Sequence, residues 1–522
     1  MASASCRDLQ AGSLRSPART REHAVFPKRK SCDTQFVARH SSQSQIFVLA
    51  IDVGSSSTRS AIFDSRGHVV RGTAASEHYS IRYGPAGAAE LSPLVLLRAV
   101  NRCMATTLSG SKRSREITAV SISSFWHGLL GLNSRWQPLT PIFTWADSRA
   151  VTAARELRKQ FDETRVHSRT GCRLHTSYWP AKLRWLRNDS PALFRKVALW
   201  VSPADWILHR LFGTTHTTPS MASGTGLFNL PNYQWDDEIC RALHLTRRNL
   251  PKIESAPVIA TAKSPETPLP SFAITMIGDG AASNLGSGAS TKGIIAINVG
   301  TSAAVRVISD AKRGTLPSGL FRYVLDEKRF VIGGAISNAG NLREWGLREL
   351  RLGKGSHPER EILSRTAAAR DSLVVLPFWV DERAPTWPED ARGVIYGMTP
   401  TVTACEIMRS LATASFYRLA QILEVLRADR KSNPRIIVSG GILRSPEEVR
   451  LLADSIGHDV EISRVQEASL RGAAVFALEQ QGIRPPALPV GKLIRHDRAL
   501  AKLHAERRAR QEALETRLSS EL

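Results

Sequence analysis

VLAIDVGSSSTRSAIFD, residues 48–64, is an apolar run that breaks at Asp52 into a glycine and four hydroxyl residues and then resumes with alternating character. Val48 to Ile51 have the composition of a buried strand, and residues 58–63 alternate as its antiparallel partner would. The turn between these strands presents backbone N–H groups and small hydroxyls, which suit an anion such as phosphate. An ordinary tight hairpin explains the same residues, so this stretch alone leaves both interpretations open.

The length of the chain predicts more than one domain. At 522 residues it exceeds what one hydrophobic core usually supports, so two domains of roughly 200 to 250 residues are expected. No apolar run approaches the roughly 20 residues that cross a bilayer, and neither a membrane protein nor a membrane partner is expected. The six cysteines lie scattered, without a CxxC pair or a His/Cys cluster. This pattern argues against a zinc site and favours a reducing, cytoplasmic compartment.

The chain is basic, with a formal net charge of +24. The excess is spread along the sequence and no known nucleic-acid-binding pattern accompanies it, so nucleic acid is not an expected partner. A basic surface field would instead attract an anionic small substrate and ATP. Residues 1–45 lack periodicity and are rich in Ser and Arg, which predicts a disordered or leader-like basic segment. Residues 486–522 have helical character and mixed charge, which predicts a surface helical tail.

Two further elements extend the opening pattern. GIIAINVGTSAAVRVIS, residues 293–309, again places a turn of glycine and hydroxyl residues between two strands. RIIVSGGILRSPEEVRLLADSIGHDVEI, residues 435–462, has the order strand, glycine turn, helix, strand, with Ser445 and Glu448 at capping-box spacing and Pro446 at the first helical position. A chance repeat and a plain βαβ unit explain each element taken alone. Their joint order favours two related halves that face one ligand.

Together these elements resemble the actin-like, ribonuclease H-like ATPases, and within that group the FGGY carbohydrate kinases, over residues 46–485. The resemblance implies an α/β fold of two ribonuclease H-like domains, with mixed sheets flanked by helices and a cleft between them. The N-terminal domain, 46–292, would bind the sugar, and the C-terminal domain, 293–485, would bind the nucleotide. ATP and Mg²⁺ are the implied cofactors. The implied nucleotide-binding residues lie in the three turns and are Gly54, Ser55, Ser56, Ser57, Thr58, Gly300, Thr301, Ser302, Gly440, Gly441 and Ser445.

A carboxylate follows the apolar run that ends in MIGDGAASNLGSGA, residues 276–289. Asp279 stands there between two glycines, at the position of the family's catalytic base. The resemblance also implies that Asp52 and Asp279 form the metal site. Phosphoryl transfer needs chiefly alignment and charge neutralisation, so one carboxylate suffices as base. Asp between glycines is also a common turn. We expect the two carboxylates to meet across the cleft, one beside the metal and one beside the reactive hydroxyl.

Aromatic and polar residues alternate in SISSFWHGLLGLNSRWQPLTPIFTWADSRA, residues 121–150. Aromatic walls with hydrogen-bonding groups at their edges suit a polyol. His127, beside a glycine after a strand, is expected to be accessible rather than buried. An alternative stays open, in which the two tryptophans are core residues and Arg149 pairs with Asp147. The resemblance implies that the sugar is bound by Trp126, His127, Gly128, Trp145, Asp147 and Asp279.

The segments RTGCRLHTSYWPAKLRWL, 169–186, and DERAPTWPEDARGVIYGMT, 381–399, are similar to the gluconokinase branch of the family. This implies transfer of the γ-phosphate of ATP to D-gluconate, with 6-phosphogluconate as product. The alternatives are a xylulokinase or another pentulose or polyol kinase, and then a non-catalytic sugar or nucleotide sensor. A homodimer is left open. An acidic substrate calls for a cation, although each candidate also suits a surface ion pair; the candidates are Arg173, His175, Lys182 and Arg383.

Two positions depart from the family pattern. Ala303 follows the second turn where the family usually has glycine, and its methyl group is expected to crowd the phosphate loop. Thr413 and Ala414 stand where the family usually has Glu-Gly in a helix. The helix should still form, because Ala favours helix more than Gly does.

Overall fold

The structure is a computed structural model that describes residues 46–260, 272–310, 315–353, 362–364, 373–388, 391–427, 434–489 and 491–521. The basic segment over residues 1–45 lies outside the described residues. None of the described helices combines the length and the apolar character that crossing a membrane requires.

The strands and helices follow in chain order. The strands of the first half are β1 (Phe47–Val53), β2 (Ser57–Phe63), β3 (Ala75–His78), β4 (Arg82–Tyr83), β5 (Ala89–Leu91), β6 (Ile117–Ser124), β7 (Leu130–Leu132), β8 (Ile142–Phe143), β9 (Leu199–Val201), β10 (His216–Thr217), β11 (Phe228–Asn229), β12 (Gln234–Trp235), β13 (Lys252–Ile253), β14 (Val258–Ala260) and β15 (Phe272–Gly278). Those of the second half are β16 (Ile294–Val299), β17 (Ala303–Ser309), β18 (Phe321–Val324), β19 (Phe330–Ile336), β20 (Val374–Leu376), β21 (Val394–Tyr396), β22 (Arg435–Ser439), β23 (Val460–Ile462) and β24 (Leu493–Ile494). The helices are α1 (Pro93–Ser109), α2 (Val151–Gln160), α3 (Glu163–Thr170), α4 (Trp179–Asp189), α5 (Pro191–Lys196), α6 (Pro203–Phe212), α7 (Pro219–Ser223), α8 (Asp237–Ala242), α9 (Asp279–Ser287), α10 (Gly340–Glu349), α11 (Ala404–Arg427), α12 (Pro446–Ile456), α13 (Ala468–Gln480) and α14 (Arg498–Glu521).

The first large sheet is built on the predicted opening hairpin. β1 and β2 pair antiparallel, with Asp52 opposite Arg59. β3 extends the sheet antiparallel beyond β2, whereas β6 and then β15 join in parallel on the other side of β1. Every residue of β1 is buried, as expected for an apolar strand at the centre of a sheet covered on both faces.

The second large sheet repeats this arrangement. The hairpin of β16 and β17 is extended antiparallel by β19 on one side and in parallel by β22 and β23 on the other. β18 and β24 are added antiparallel at the two edges. The shared core of three antiparallel and two parallel strands confirms the predicted pair of ribonuclease H-like folds.

Two helices connect the sheets. α13 lies in sequence between β23 and β24 of the second sheet, yet it packs against α9 and against β1 and β6 of the first sheet. The helices approach so closely that a Cβ atom at Gly286 would lie 1.7 Å from the Ala468 carbonyl oxygen, and one at Gly472 1.7 Å from that of Ala282. The helix layer therefore couples the two halves, although the boundary near residue 293 separates the sheets.

The C-terminal helix α14 is less solvated than its charge pattern predicts. Its His504, Gln511 and Glu515 are buried. Gln511 donates to the Val375 carbonyl (2.7 Å), and Glu515 pairs with the buried Arg418 of α11 (2.6 Å). The predicted helix is thus present, but the expectation of a purely surface helix is wrong, because its polar residues satisfy groups in the core of the second half.

Candidate active site

A cavity, called the central cavity below, is lined by residues from both halves of the chain. The first half contributes Phe125, Trp126, His127, Trp145, Tyr178 and Asp279, and the second half contributes Ser302, Ala303, Arg306, Phe321, Tyr323, Ala335, Arg383 and Trp387. The structure therefore brings together four of the predicted sugar-binding residues and one residue of the second turn.

Trp126 forms a tightly held wall of the central cavity. Its indole N–H donates to the Ser220 carbonyl (2.8 Å). A Cβ atom would lie 1.9 Å from the indole ring at Gly278 and 2.5 Å from it at Gly280. The two glycines around Asp279 are therefore explained by the packing of Trp126. The residue is both a core residue and part of the cavity wall, so the two sequence interpretations of it are compatible.

Asp279 is the first residue of α9 and lies at the end of β15. Its Oδ1 accepts a hydrogen bond from the backbone N–H of Gly280 (2.8 Å). Burial raises the pKa of Asp279, while the charge of Arg306 lowers it. A raised pKa makes a carboxylate a better proton acceptor, which is the property that a general base needs.

His127 is buried, with 9 % of its surface exposed, so the expectation of an accessible imidazole is wrong. Its backbone has a φ of 70°, and its Nδ1 donates to the Gly224 carbonyl (2.6 Å). Burial lowers the pKa of His127 to about 3. The ring is therefore neutral near pH 7, with Nε2 unprotonated and able to accept a hydrogen bond from a hydroxyl.

Asp52 is the second-last residue of the buried strand β1 and lies opposite Ser123 of the parallel strand β6. Burial raises its pKa to about 7, against the lowering effects of Ser123 and Arg59, and the charge of Asp279 raises it further. The two carboxylates are thus close enough to interact electrostatically. Arg59 Nη1 lies 3.6 Å from Asp52 Oδ2, whereas Oδ1 is buried without a hydrogen-bond partner among the described residues.

The first hairpin turn is shorter than predicted. The backbone N–H of Gly54 donates to the Ser57 carbonyl (2.9 Å), and Ser57 and Thr58 are buried within β2. The Thr58 hydroxyl donates to the Asp52 carbonyl (3.1 Å). The structure therefore does not support phosphate contacts by the side chains of Ser57 and Thr58, and the accessible turn consists of residues 54–56.

The second hairpin turn and the glycine turn lie against each other. The N–H of Gly300 donates to the Ser302 carbonyl (2.9 Å), two residues further on, whereas Gly54 donates to a carbonyl three residues further on. Gly440 has a φ of 94°, and a Cβ atom there would lie 2.5 Å from the Val299 carbonyl oxygen. Thr301 is exposed in the same turn, and Gly441 is exposed as well, with its Cβ position 3.8 Å from the Val299 carbonyl oxygen. The glycine turn therefore lies directly beside the end of β16 that leads into the second hairpin turn.

Ser445 has a structural role. It is buried and its hydroxyl caps α12 by accepting from the Glu448 N–H (3.3 Å). The capping function predicted for this residue is present. The nucleotide contact by the same side chain stays a prediction, since the cap uses the hydroxyl only as an acceptor and leaves its O–H group as a donor.

Asp147 does not line the central cavity. Its carboxylate accepts from Arg149 (2.5 Å) and from the backbone N–H of Ala89 (3.0 Å), and Arg149 also pairs with Glu90 (2.8 Å). The alternative of an Asp147–Arg149 pair is therefore correct, and direct sugar binding by Asp147 is not supported. Gly128 likewise lies outside the cavity wall, packed against Phe125 and Pro203.

Of the four candidate cations only Arg383 lines the central cavity. Its guanidinium lies over the Trp145 ring, 4.7 Å from the ring centroid. Arg173 pairs with Glu163. Lys182 is fully buried and donates to the carbonyls of Thr176 (2.6 Å) and Ser177 (2.8 Å), and His175 is also buried outside this wall.

Sequence reasoning missed several cavity residues. Arg306 lies within the otherwise apolar strand β17. A charged residue in a central strand is the sequence feature that could have identified it as a cavity residue. Tyr178 and Tyr323 share a hydrogen bond (2.7 Å) across the two halves of the chain, a pairing that no local pattern reveals. Ala303 begins β17 and lines the cavity wall. α11 runs continuously through Thr413, as predicted.

A duplicated ribonuclease H-like fold with a carboxylate-bearing cavity between its halves defines the class of two-domain actin-like phosphotransferases. Residues 47–275 match the N-terminal domain of the FGGY family of carbohydrate kinases, and residues 295–479 match its C-terminal domain. The chain belongs to this family and is therefore a phosphotransferase with an alcohol group as acceptor and ATP as donor.

The chain is similar to gluconate and xylulose kinases of this family. The gluconokinase of Bacillus subtilis (strain 168) is 29 % identical over 84 % of this chain and 88 % of its own. A ligand-bound xylulose kinase from Lactobacillus acidophilus has a TM-score of 0.81 at 25 % identity, covering 91 % of this chain and 98 % of its own. A gluconate kinase from the same organism has a TM-score of 0.79 at 25 % identity, with the same coverage of both chains.

Proposed function

We propose that this kinase phosphorylates a sugar acid, with D-gluconate as the acceptor and 6-phosphogluconate as the product. The observation that carries the proposal is the central cavity, in which Asp279, a neutral histidine, aromatic walls and two arginines surround one space. Aromatic faces suit the C–H surface of a carbohydrate, and the polar groups between them suit its hydroxyls. The name of the similar Bacillus subtilis protein, a gluconokinase, supports the same acceptor.

In the proposed reaction Asp279 accepts the proton of the acceptor hydroxyl as that oxygen attacks the γ-phosphorus of ATP. The bond from the γ-phosphorus to the β,γ-bridging oxygen breaks, and ADP leaves. His127 accepts a hydrogen bond from a neighbouring hydroxyl through Nε2 and thereby orients the sugar. Because transfer passes through a loose transition state, alignment and charge neutralisation supply most of the catalysis. Trp126 fixes one wall and holds the acceptor against Asp279.

The backbone N–H groups of turns 54–56 and 300–302 would hold the phosphates of ATP, with the glycine turn at 440–441 beside the nucleoside. The protein also fits Mg²⁺, because Asp52 Oδ1 is buried and has no partner among the described residues. Magnesium keeps much of its water shell and uses one or two carboxylates, so the single Asp52 with Asp279 nearby suffices. The ion would neutralise charge on the phosphates.

Xylulose is the second candidate acceptor. The xylulose kinase from Lactobacillus acidophilus has a fold very similar to that of this chain, and a neutral ketose would use the same aromatic wall and histidine.

We also propose a cytoplasmic location for the protein. The free cysteines among the described residues, which include the buried Cys103, Cys172 and Cys240, fit a reducing compartment.

An ADP-release assay with D-gluconate, D-xylulose, D-ribulose and glycerol tests the proposal. We expect the highest kcat/KM with D-gluconate. A higher kcat/KM with D-xylulose would establish the second candidate instead. No ADP release with any of these acceptors would contradict the proposed function.

A further inference from the structure

Arg306 has an unusual environment for a charged residue. It lies in the middle of β17, between Val305 and Val307, and its strand neighbour across the sheet is Gly333. A Cβ atom at Gly333 would lie 3.1 Å from Arg306 Cγ, so the glycine leaves room for this side chain. The guanidinium Nε is buried without a hydrogen-bond partner among the described residues. A buried donor without a partner is costly, which points to a ligand acceptor in the central cavity.

The place of Arg306 along the strand separates it from the phosphate turn. Arg306 is four residues after Ser302 along an extended strand, which corresponds to roughly 13 Å at the usual rise per residue. Its Nε lies 2.8 Å from where a Cβ atom at Gly280 would be, beside the Trp126 ring. Arg306 is therefore among the groups that surround the acceptor rather than among those of the turn.

The charges of the central cavity favour an anion. Its described lining carries Arg306 and Arg383 against the single carboxylate of Asp279. Arg383 already donates to the Ser337 hydroxyl (3.1 Å) and to the Ile336 carbonyl (3.1 Å). His127 is neutral near pH 7 and adds no positive charge. The cavity wall therefore has one more positive than negative charge. The N–H at Arg306 Nε has no hydrogen-bond partner among the described residues and can donate to a ligand.

We propose that Arg306, with Arg383 beside it, binds the carboxylate of an aldonic acid and thereby selects sugar acids over neutral polyols. This rests on the proposed function, whose acceptor it explains. A guanidinium binds a carboxylate through two parallel charge-assisted hydrogen bonds, which no hydroxymethyl group reproduces. A neutral polyol would leave the buried Nε unsatisfied, so the same residue also disfavours the wrong acceptor.

The test compares D-gluconate with D-glucitol, which has a hydroxymethyl group in place of the carboxylate. Affinities are measured by isothermal titration calorimetry on the full chain, and kcat by ADP release, for wild type, Arg306→Met and Arg306→Lys. We expect wild type to bind gluconate at least about tenfold more tightly than glucitol. Arg306→Met should bring this ratio close to one through weaker gluconate binding. Arg306→Lys should retain part of the preference.

Arg322→Met is the matched control. Arg322 is also buried, but it lies on β18 between Phe321 and Tyr323, which line the cavity, so its side chain points to the other face. An unchanged ratio in Arg322→Met supports the proposal. An unchanged ratio in Arg306→Met, a collapsed ratio in Arg322→Met, or an equal loss of kcat with both acceptors would overturn it. Acid-selective binding through Arg306 without any ADP release would contradict the proposed function alone.

Discussion

Asp52 and Asn298 occupy equivalent positions in the two hairpins of this chain. Asp52 lies opposite Ser123 on a parallel strand, and Asn298 lies opposite Ser439 in the same way. The Asn298 amide donates to the Ser439 hydroxyl (3.0 Å), whereas Asp52 Oδ1 has no partner among the described residues. The duplicated fold therefore places a carboxylate at this position only in its first half.

Asp52→Asn should lower kcat by at least about 100-fold, because a neutral amide would hold the proposed Mg²⁺ less well than a carboxylate does and the charge on the phosphates would stay less neutralised. Asn298→Asp in the same chain should not restore activity, because position 298 lies beside Ser439 on the other hairpin and does not occupy the place of Asp52 beside Ser123. ADP release at saturating ATP and gluconate measures both variants. Recovery of activity in the double variant would show that the two hairpins are interchangeable and would contradict this assignment.

The same substitution should stabilise the protein in a pH-dependent way. Burial raises the pKa of Asp52 to about 7, so the folded state favours the protonated carboxyl. The stability that this proton provides is complete below the unfolded pKa and is lost as pH rises through about 7. We therefore expect Asp52→Asn to exceed wild type in apparent Tm by an amount that grows from pH 5 to pH 7 and then levels off. A constant difference across this range would show that Asp52 titrates normally.

Gly278→Ala should disable the site without touching Asp279. The new methyl group would meet the Trp126 indole, which lies 1.9 Å from the Cβ position, so the ring or the strand must move. We expect an increased KM for gluconate, a shifted tryptophan emission and a lower apparent Tm. Gly293→Ala is the control, since nothing lies within 4 Å of its Cβ position. Equal KM, tryptophan emission and apparent Tm in the two variants would mean that the position of Trp126 does not depend on its contact with Gly278.

The C-terminal helix α14 should help to hold the cavity wall in place through contacts with residues behind it. Glu515 pairs with the buried Arg418 (2.6 Å) and accepts from Thr386 (2.6 Å), the neighbour of the cavity residue Trp387. Glu515→Gln removes the charge that pairs with the buried Arg418 guanidinium. We expect this change to lower the free energy of unfolding by about 3 kcal/mol or more.

We expect a clearly lower apparent Tm in thermal unfolding and an increased KM for the acceptor. Glu506→Gln, on the exposed side of the same helix, should change neither quantity. If Glu515→Gln behaves like this control, the helix does not support the cavity wall.

The two hairpins and the strand, glycine turn and helix over 435–462 could be predicted from the residues, because alternation and turn residues act over a few positions of sequence. The ribonuclease H-like fold of the two halves and the proximity of Asp52 to Asp279 were implied only by the family resemblance.

The environment of His127 could not be predicted, since its partner, the Gly224 carbonyl, is distant in the chain. The Ala89 partner of Asp147 is also distant in the chain. The pairing of Asp147 with Arg149 and the helix cap by Ser445 could be expected from the sequence, because their partners lie two and three residues away. Residue type indicated the chemistry in each case, while hydrogen-bond partners decided which group remained available.

Asp279 as the base for the acceptor hydroxyl is the central element of the proposed reaction. The direct test is single-turnover phosphoryl transfer from ATP to D-gluconate by Asp279→Asn, with ATP affinity measured on the same preparation. We predict an ATP Kd within about threefold of wild type and a transfer rate lower by at least about 1000-fold. A transfer rate within about tenfold of wild type would contradict the central claim.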